Sequence, residues 1–118
     1  MKPAIELRRT ARRGRGVFAC RAFKPDDLIE EAPVVLVAEA HRRLLARTAL
    51  KDYYFNWGNG WIAVAFGLGS FYNHAETPNA EFRCCPATET IRFTAARAIR
   101  AGEEIRIDYD CPLWFDAR

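Results

Sequence analysis

With 118 residues, half of them hydrophobic and 13% aromatic, the chain can bury the core of one domain unaided. No apolar run approaches the roughly 20 residues of a membrane helix, and MKPAIELRR has no apolar stretch behind its charges that would read as a secretion signal. The expectation is a soluble, cytoplasmic protein, and a formal net charge of +3 is too mild to imply a nucleic-acid partner by itself.

The chain opens basic: Lys2, Arg8, Arg9, Arg12, Arg13, Arg15 and Arg21 stand against Glu6. Gly14-Arg15-Gly16 breaks this stretch, and Val17 to Cys20 is a short apolar strand. Lys24-Pro25-Asp26-Asp27 reads as a turn, with Pro fixing the backbone and Asp available for local hydrogen bonds. A long β-branched strand follows from Leu28 to Val37. Ala38 to about Leu50 is the one predicted helix, rich in Ala, Leu and Arg, with Leu44 and Leu45 packing inward. Tyr53, Phe55 and Trp57 then alternate with Tyr54 and Asn56. Gly58-Asn59-Gly60 turns the chain and Trp61 to Phe66 returns, which predicts a hairpin. Beyond an Asn73-His74 pair, Phe82 and Cys84 alternate, as do Ile91, Phe93 and Ala95, with a turn over Pro86 to Glu89. Ala101-Gly102 leads into Ile105, Ile107 and Tyr109, another alternating strand. The fold class is mainly β with one or two short helices. The end of the chain is acidic, with Glu103, Glu104, Asp108, Asp110 and Asp116 against Arg106.

The four cysteines, Cys20, Cys84, Cys85 and Cys111, include no C-x-x-C pair, and adjacent Cys84 and Cys85 point to opposite faces of a strand. Structural zinc normally draws on closely spaced pairs, so reduced thiols and no metal are expected.

Three segments could carry chemistry, and each alone has a plain structural explanation. Gly14-Arg15-Gly16 permits close backbone approach to a ligand, but it lacks the third glycine and following helix of a dinucleotide fingerprint, and a tight turn explains it as well. Asn73-His74 lies in a polar turn, and with only His41 and His74 in the chain a hydrolase triad has little support. Gly102 to Tyr109 reads as a turn and a half-buried strand.

In this order and spacing the three resemble the motifs of the SET-domain protein lysine methyltransferases: G-x-G at Gly14 to Gly16, N-H-x-x-x-P-N at Asn73 to Asn79, and G-E-E-x-x-x-D-Y at Gly102 to Tyr109. GRGVFACRAFKPDDLI is also similar to the family's opening strand and turn, and the resemblance runs over about residues 5 to 115. It implies one SET domain over 1–118, with a core of about 5–110 and an aromatic tail over 111–118. The implied fold is several small sheets, β-clip-like, with the C-terminal strand threading the Asn-His segment in a knot-like crossing.

The resemblance also implies a cofactor, S-adenosylmethionine. It places Gly14, Arg15, Gly16, Tyr72, Asn73, His74, Tyr109 and Trp114 around it, with the Asn73 side chain on the methionine end and main-chain groups at Asn73 and His74 on the adenine. Tyr109 would be the catalytic tyrosine. Tyr53, Tyr54, Phe71, Ile107 and Phe115 would line a channel for the substrate lysine. Such a channel suits the reaction, in which a neutral amine displaces a methyl group from a sulfonium. Deprotonating a lysine of ordinary pKa at pH 7 costs roughly 4–5 kcal/mol, and desolvation beside a cation reduces that cost.

Two departures from the family matter. Glu76 stands where many nuclear relatives have a zinc-binding Cys, and Cys111 stands in place of a cysteine trio, so the family's zinc site is absent. Ile107 replaces an aromatic that often limits methyl number, which leaves the product state open. The expected partner is a protein presenting a lysine, basic like a histone tail or ribosomal protein to suit the acidic C-terminal strand. A homodimer is also expected, because no flanking domain completes the substrate groove. Two alternatives stand: a small β domain binding nucleic acid through the arginine-rich start, and an inactive module that keeps the fold and cofactor.

Overall fold

A computed structural model describes residues 3–109 and 113–114. The strands are β1 (Ile5–Arg9), β2 (Arg15–Ala19), β3 (Leu28–Ala38), β4 (Tyr54–Gly58), β5 (Trp61–Ala65), β6 (Asn73–His74), β7 (Ala80–Cys85), β8 (Thr90–Ala95), β9 (Glu104–Ile107) and β10 (Leu113–Trp114). The only α-helix among the described residues is α1 (Arg42–Leu45), preceded by a 3-10 turn over Glu39–His41. Alternation explains the strands best in β8: Ile91, Phe93 and Ala95 are buried while Thr90, Arg92 and Thr94 lie on the other face.

Six strands form one sheet in the order β10-β7-β8-β3-β5-β4, and four form another in the order β1-β2-β9-β6. β3 serves two partners in turn. Leu28 to Pro33 pairs with β8, and Val34 to Ala38 pairs with β5. The handover falls at Pro33, which has no N–H to give a ladder and is tolerated where pairing changes. A bulge between Leu28 and Glu30 sets two residues of β3 against one of β8. The hairpin between β4 and β5 turns on Gly58, Asn59 and Gly60, all with positive φ (98°, 54° and 88°), so two of three positions need glycine's freedom.

The expected helix over 38–50 shrinks to a 3-10 turn and one turn of α-helix with no buried residue, and Leu44 is 60% exposed rather than packed inward. Leu44 and Leu45 are adjacent, so they cannot build a stripe at 3.6-residue spacing. A helix this short without a packed face is not sustained by propensity alone. The Thr48 hydroxyl donates to the Leu45 carbonyl (2.8 Å) where the helix ends. β1 is a strand that the arginine-rich composition concealed.

The core is aromatic where the two sheets meet. Phe55 packs on Phe82 (5.3 Å between centroids) and on Tyr109 (5.3 Å), and the Tyr72 ring stacks on Phe93 at 4.2 Å. β9 is inserted between β2, antiparallel, and β6, parallel. Asn79 holds it there: its side-chain amide donates to the Glu104 carbonyl (2.9 Å) and accepts from the Arg106 N–H (2.8 Å), bonding the strand's backbone as a neighbouring strand would. That explains the second Asn of the N-H-x-x-x-P-N segment. β10 pairs in parallel with β7, Trp114 opposite Cys84. Among the described residues no helix is long and apolar enough to cross a membrane.

Candidate active site

β9 and β6 bring the C-terminal motif against the Asn-His pair, and β2 brings the glycine turn beside both. Between them lies a cavity of about 350 Å³ lined by Gly14, Arg15, Tyr53, Phe71, Tyr72, Asn73, His74 and Tyr109, with Arg13, Asp52 and Ser70 at its margins. Its volume is within the range of small-molecule sites.

Each wall has a local cause. The Tyr109 hydroxyl donates to the Tyr72 carbonyl, and the Tyr109 backbone N–H donates to His74 Nδ1 (3.3 Å). The His74 and Tyr109 rings lie nearly parallel, 20° apart, and Asp108 approaches His74 Nδ1 to 3.8 Å. Burial pushes the Tyr109 phenol up to about 12, with Tyr53 adding to the shift, so it stays neutral through the physiological range. Ser70 donates its hydroxyl to the carbonyls of Ala65 (2.7 Å) and Tyr53 (3.1 Å), which fixes Tyr53 against Phe71 at 5.7 Å. The Arg15 guanidinium lies over the Phe71 ring at 4.8 Å.

The Asn73 amide is oriented without ambiguity. Its nitrogen donates to Glu104 Oε2 (2.7 Å) and to the Arg15 carbonyl (3.2 Å), both of which can only accept. These bonds leave its oxygen uncommitted, and an amide oxygen can only accept. Glu104 is held in turn by the Arg13 guanidinium. Gly16 is buried behind this pair rather than on the cavity wall. A Cβ there would strike the Glu104 carboxylate and come within 2.7 Å of Asn73 Nδ2, so only glycine admits the approach.

Several expected residues fall elsewhere. Ile107 is wholly buried in the core and does not line the cavity, because β9 alternates and turns it inward with Ile105. Tyr54 points to the opposite face of β4 from Phe55 and lies beneath the Arg42 guanidinium at 5.3 Å. Tyr72 presents its carbonyl to the site while its ring is core. Trp114 is described only by its backbone pairing with β7, and Phe115, Asp110 and Cys111 lie outside the described residues. Among the described residues no three His, Cys, Asp or Glu side chains are grouped to hold a metal. The cavity residues that motif reading missed are Arg13, Asp52 and Ser70, single polar residues beside the motifs with no pattern of their own.

The charged ends are largely engaged within the chain. Arg8 pairs with Glu6, Arg13 with Glu104, and Arg21 covers Phe23 at 4.2 Å. Glu103 approaches Arg97 (3.6 Å) and accepts from the Arg100 N–H (2.8 Å). Glu103 and Glu104 thus have partners within the chain, and Asp110 and Asp116 lie outside the described residues.

Beside the cavity lies a second, more apolar hollow of about 410 Å³, lined by Leu50, Val64 and Phe66 among others. The two hollows share Arg15, Tyr53, Ser70 and Phe71, which form the partition between them.

Comparison with known proteins gives the family and the fold. The family described as the SET domain matches residues 14–110. A Schizosaccharomyces pombe protein named histone-lysine N-methyltransferase, H3 lysine-37 specific, is 33% identical over 117 residues, 98% of this chain and 80% of the relative. A crystal structure of a Plasmodium falciparum protein named "putative histone methyltransferase" superposes with a TM-score of 0.72 at 25% identity. It covers 92% of this chain and 95% of that one.

Proposed function

The chain belongs to the SET-domain family of protein-lysine N-methyltransferases, and on that premise we propose that its cavity binds S-adenosylmethionine and transfers the methyl group to a lysine side chain of a histone or similar protein. The observation that supports this most is the convergence of three segments distant in sequence, the Gly14 turn, Asn73-His74 and Tyr109, on one cavity of suitable volume.

The residues fit the cofactor. The open backbone at Gly14 and Arg15 gives room for its chain. Asn73 Oδ1, its amide nitrogen already committed, would accept from the α-ammonium. The His74 and Tyr109 end is flat and aromatic. When bound, the cofactor supplies an electrophilic methyl on a sulfonium, which attracts a neutral amine and disfavours a charged one.

This chain's own residues would do the rest. Tyr53 and Phe71, in the partition between the hollows, would sheath the aliphatic stem of a lysine entering from the apolar side and exclude water from its amine. The Tyr109 phenol, neutral at physiological pH as any phenol is and kept so by burial, would act as a fixed dipole that orients the amine and not as a base. Positioning is the largest effect such a site can contribute. The nucleic-acid alternative is weakened by the arginines: Arg8, Arg13, Arg15 and Arg21 are paired with carboxylates or laid over rings of this chain.

Calorimetry with S-adenosylmethionine tests the reading. The wild type should bind, and Asn73→Ala should bind more weakly while remaining folded. Unchanged affinity in a folded Asn73→Ala variant would remove Asn73 from the site.

A further inference from the structure

We propose that Glu30, on β3 and outside the active-site cavity, is a positioning residue that fixes the Tyr109 phenol by gripping both ends of the segment from Leu68 to Tyr72. The inference rests on the reading of Tyr109 as the residue beside methyl transfer.

The sequence gives Glu30 no reason to point inward, since it sits between Ile29 and Glu31 in a strand that should alternate. The bulge in β3 changes this. Ile29 and Ala32 are both buried although three residues apart, and Glu30 is set opposite Phe93 of β8. Directly opposed residues share a face, so the bulge aims a carboxylate at the buried stack of Phe93 and Tyr72.

Each oxygen of that carboxylate holds one point of the next wall of the site. Oε2 accepts from the Leu68 N–H (2.9 Å), and Oε1 accepts from the Tyr72 hydroxyl (2.7 Å). The Tyr72 ring is 1% exposed, so its hydroxyl needs a partner inside the protein and finds it only where the bulge has turned Glu30. Gly67 marks the same close approach: a Cβ there would stand 2.5 Å from Glu30 Oε2, and its φ is +64°. The Tyr72 carbonyl is in turn the acceptor of the Tyr109 hydroxyl. Glu30 thus determines where Tyr72 lies, and Tyr72 determines where the Tyr109 phenol points.

The same segment has other restraints. Ser70 bonds Ala65, and Gly69 seats on Ala32 and Ala65 so closely that a Cβ would meet each at 2.8 Å. Loss of Glu30 should therefore shift the Tyr72 carbonyl rather than unfold the domain. Glutamine keeps an acceptor for the Leu68 N–H and can donate to the Tyr72 oxygen, although the Tyr72 O–H then loses its carboxylate acceptor; alanine keeps neither contact, so glutamine should restore part of what alanine loses.

The experiment compares wild type, Glu30→Ala and Glu30→Gln in two ways. The first is NMR with ¹³Cζ-labelled tyrosine, in which the Tyr109 signal is assigned among four tyrosines by its loss in Tyr109→Phe. At neutral pH Glu30→Ala should move that signal, because the Tyr72 carbonyl that accepts from the Tyr109 hydroxyl is displaced, and Glu30→Gln should bring it back towards the wild-type position. The second is single-turnover methyl transfer from labelled S-adenosylmethionine to recombinant histone H3, beside a calorimetric cofactor titration. Displacement of a positioning group by about 1 Å can cost on the order of 100-fold. Glu30→Ala should lose at least about tenfold in rate with cofactor affinity within about threefold of wild type, and Glu30→Gln should recover part of that rate. A Tyr109 signal in folded Glu30→Ala equal to wild type would overturn the proposal, as would equal loss in the Ala and Gln variants. Failure of the wild type to bind S-adenosylmethionine would instead refute the functional reading, while the NMR comparison still decides whether Glu30 positions Tyr109.

Discussion

Replacing Asn79 by alanine should destabilise the domain by an amount that its hydrogen bonds fix. The side chain is 5% exposed, and it serves the Glu104 carbonyl and the Arg106 N–H at 2.9 and 2.8 Å. Alanine leaves two buried backbone groups without that partner, and each costs about 1–3 kcal/mol. The expected loss is about 2–6 kcal/mol, a large share of the roughly 5–15 kcal/mol that stabilises a domain. Asn79→Asp separates the two halves. It keeps the acceptor for Arg106 but opposes an oxygen to the Glu104 carbonyl, so it should also destabilise. Urea unfolding of the three proteins, compared at equal m-value, gives the numbers. Hydrogen exchange at Arg106 should quicken in Asn79→Ala, because β9 loses its clamp. A loss below about 0.5 kcal/mol, the range of an ordinary surface change, would refute the clamp.

Stability should also fall at alkaline pH. Burial pushes the Cys84 thiol from 9.0 and the Tyr109 phenol from 10.0 up to about 12, so the folded state holds protons that the unfolded chain releases. Their contribution is complete below pH 9 and is lost as pH rises through the interval from 9 to 12. Urea titrations should show this decline and a shallower one in a Cys84→Ala, Tyr109→Phe double variant; identical slopes would contradict it. Gly16→Ala should weaken S-adenosylmethionine binding and cost about 1–3 kcal/mol, since its Cβ displaces Asn73 and Glu104. Calorimetry and unfolding with wild-type values would show that the close approach is not needed. Protein purified without added metal should carry no stoichiometric zinc, and zinc removable only with loss of folding would contradict that.

Much of the fold could be read from alternation, which needs only one buried face to show itself, as in Ile91, Phe93 and Ala95. β1 could not, because Arg8 pairs with Glu6 and lies over Phe18 at 5.2 Å, so its side chains look like a charged tail. The helix over 38–50 was overstated because composition says nothing about whether an apolar stripe exists. The motif segments at Gly14, Asn73-His74 and Tyr109 come together on one cavity because β9 runs between β2 and β6. Ile107 and Tyr54 were misplaced because proximity in sequence does not tell which face of a strand looks into the cavity. Glu30 was invisible, since its direction depends on a bulge that alternation cannot encode.

The most direct test of the account is Tyr109→Phe in single-turnover methyl transfer to recombinant histone H3, with cofactor titration alongside. The change deletes one oxygen and keeps the ring that packs on Phe55. If the hydroxyl orients the amine only on the way to the transition state, the loss falls on turnover rather than affinity. The account predicts transfer abolished or greatly reduced with S-adenosylmethionine affinity nearly unchanged. Wild-type turnover in the folded Phe variant would contradict it and leave Tyr109 a core residue.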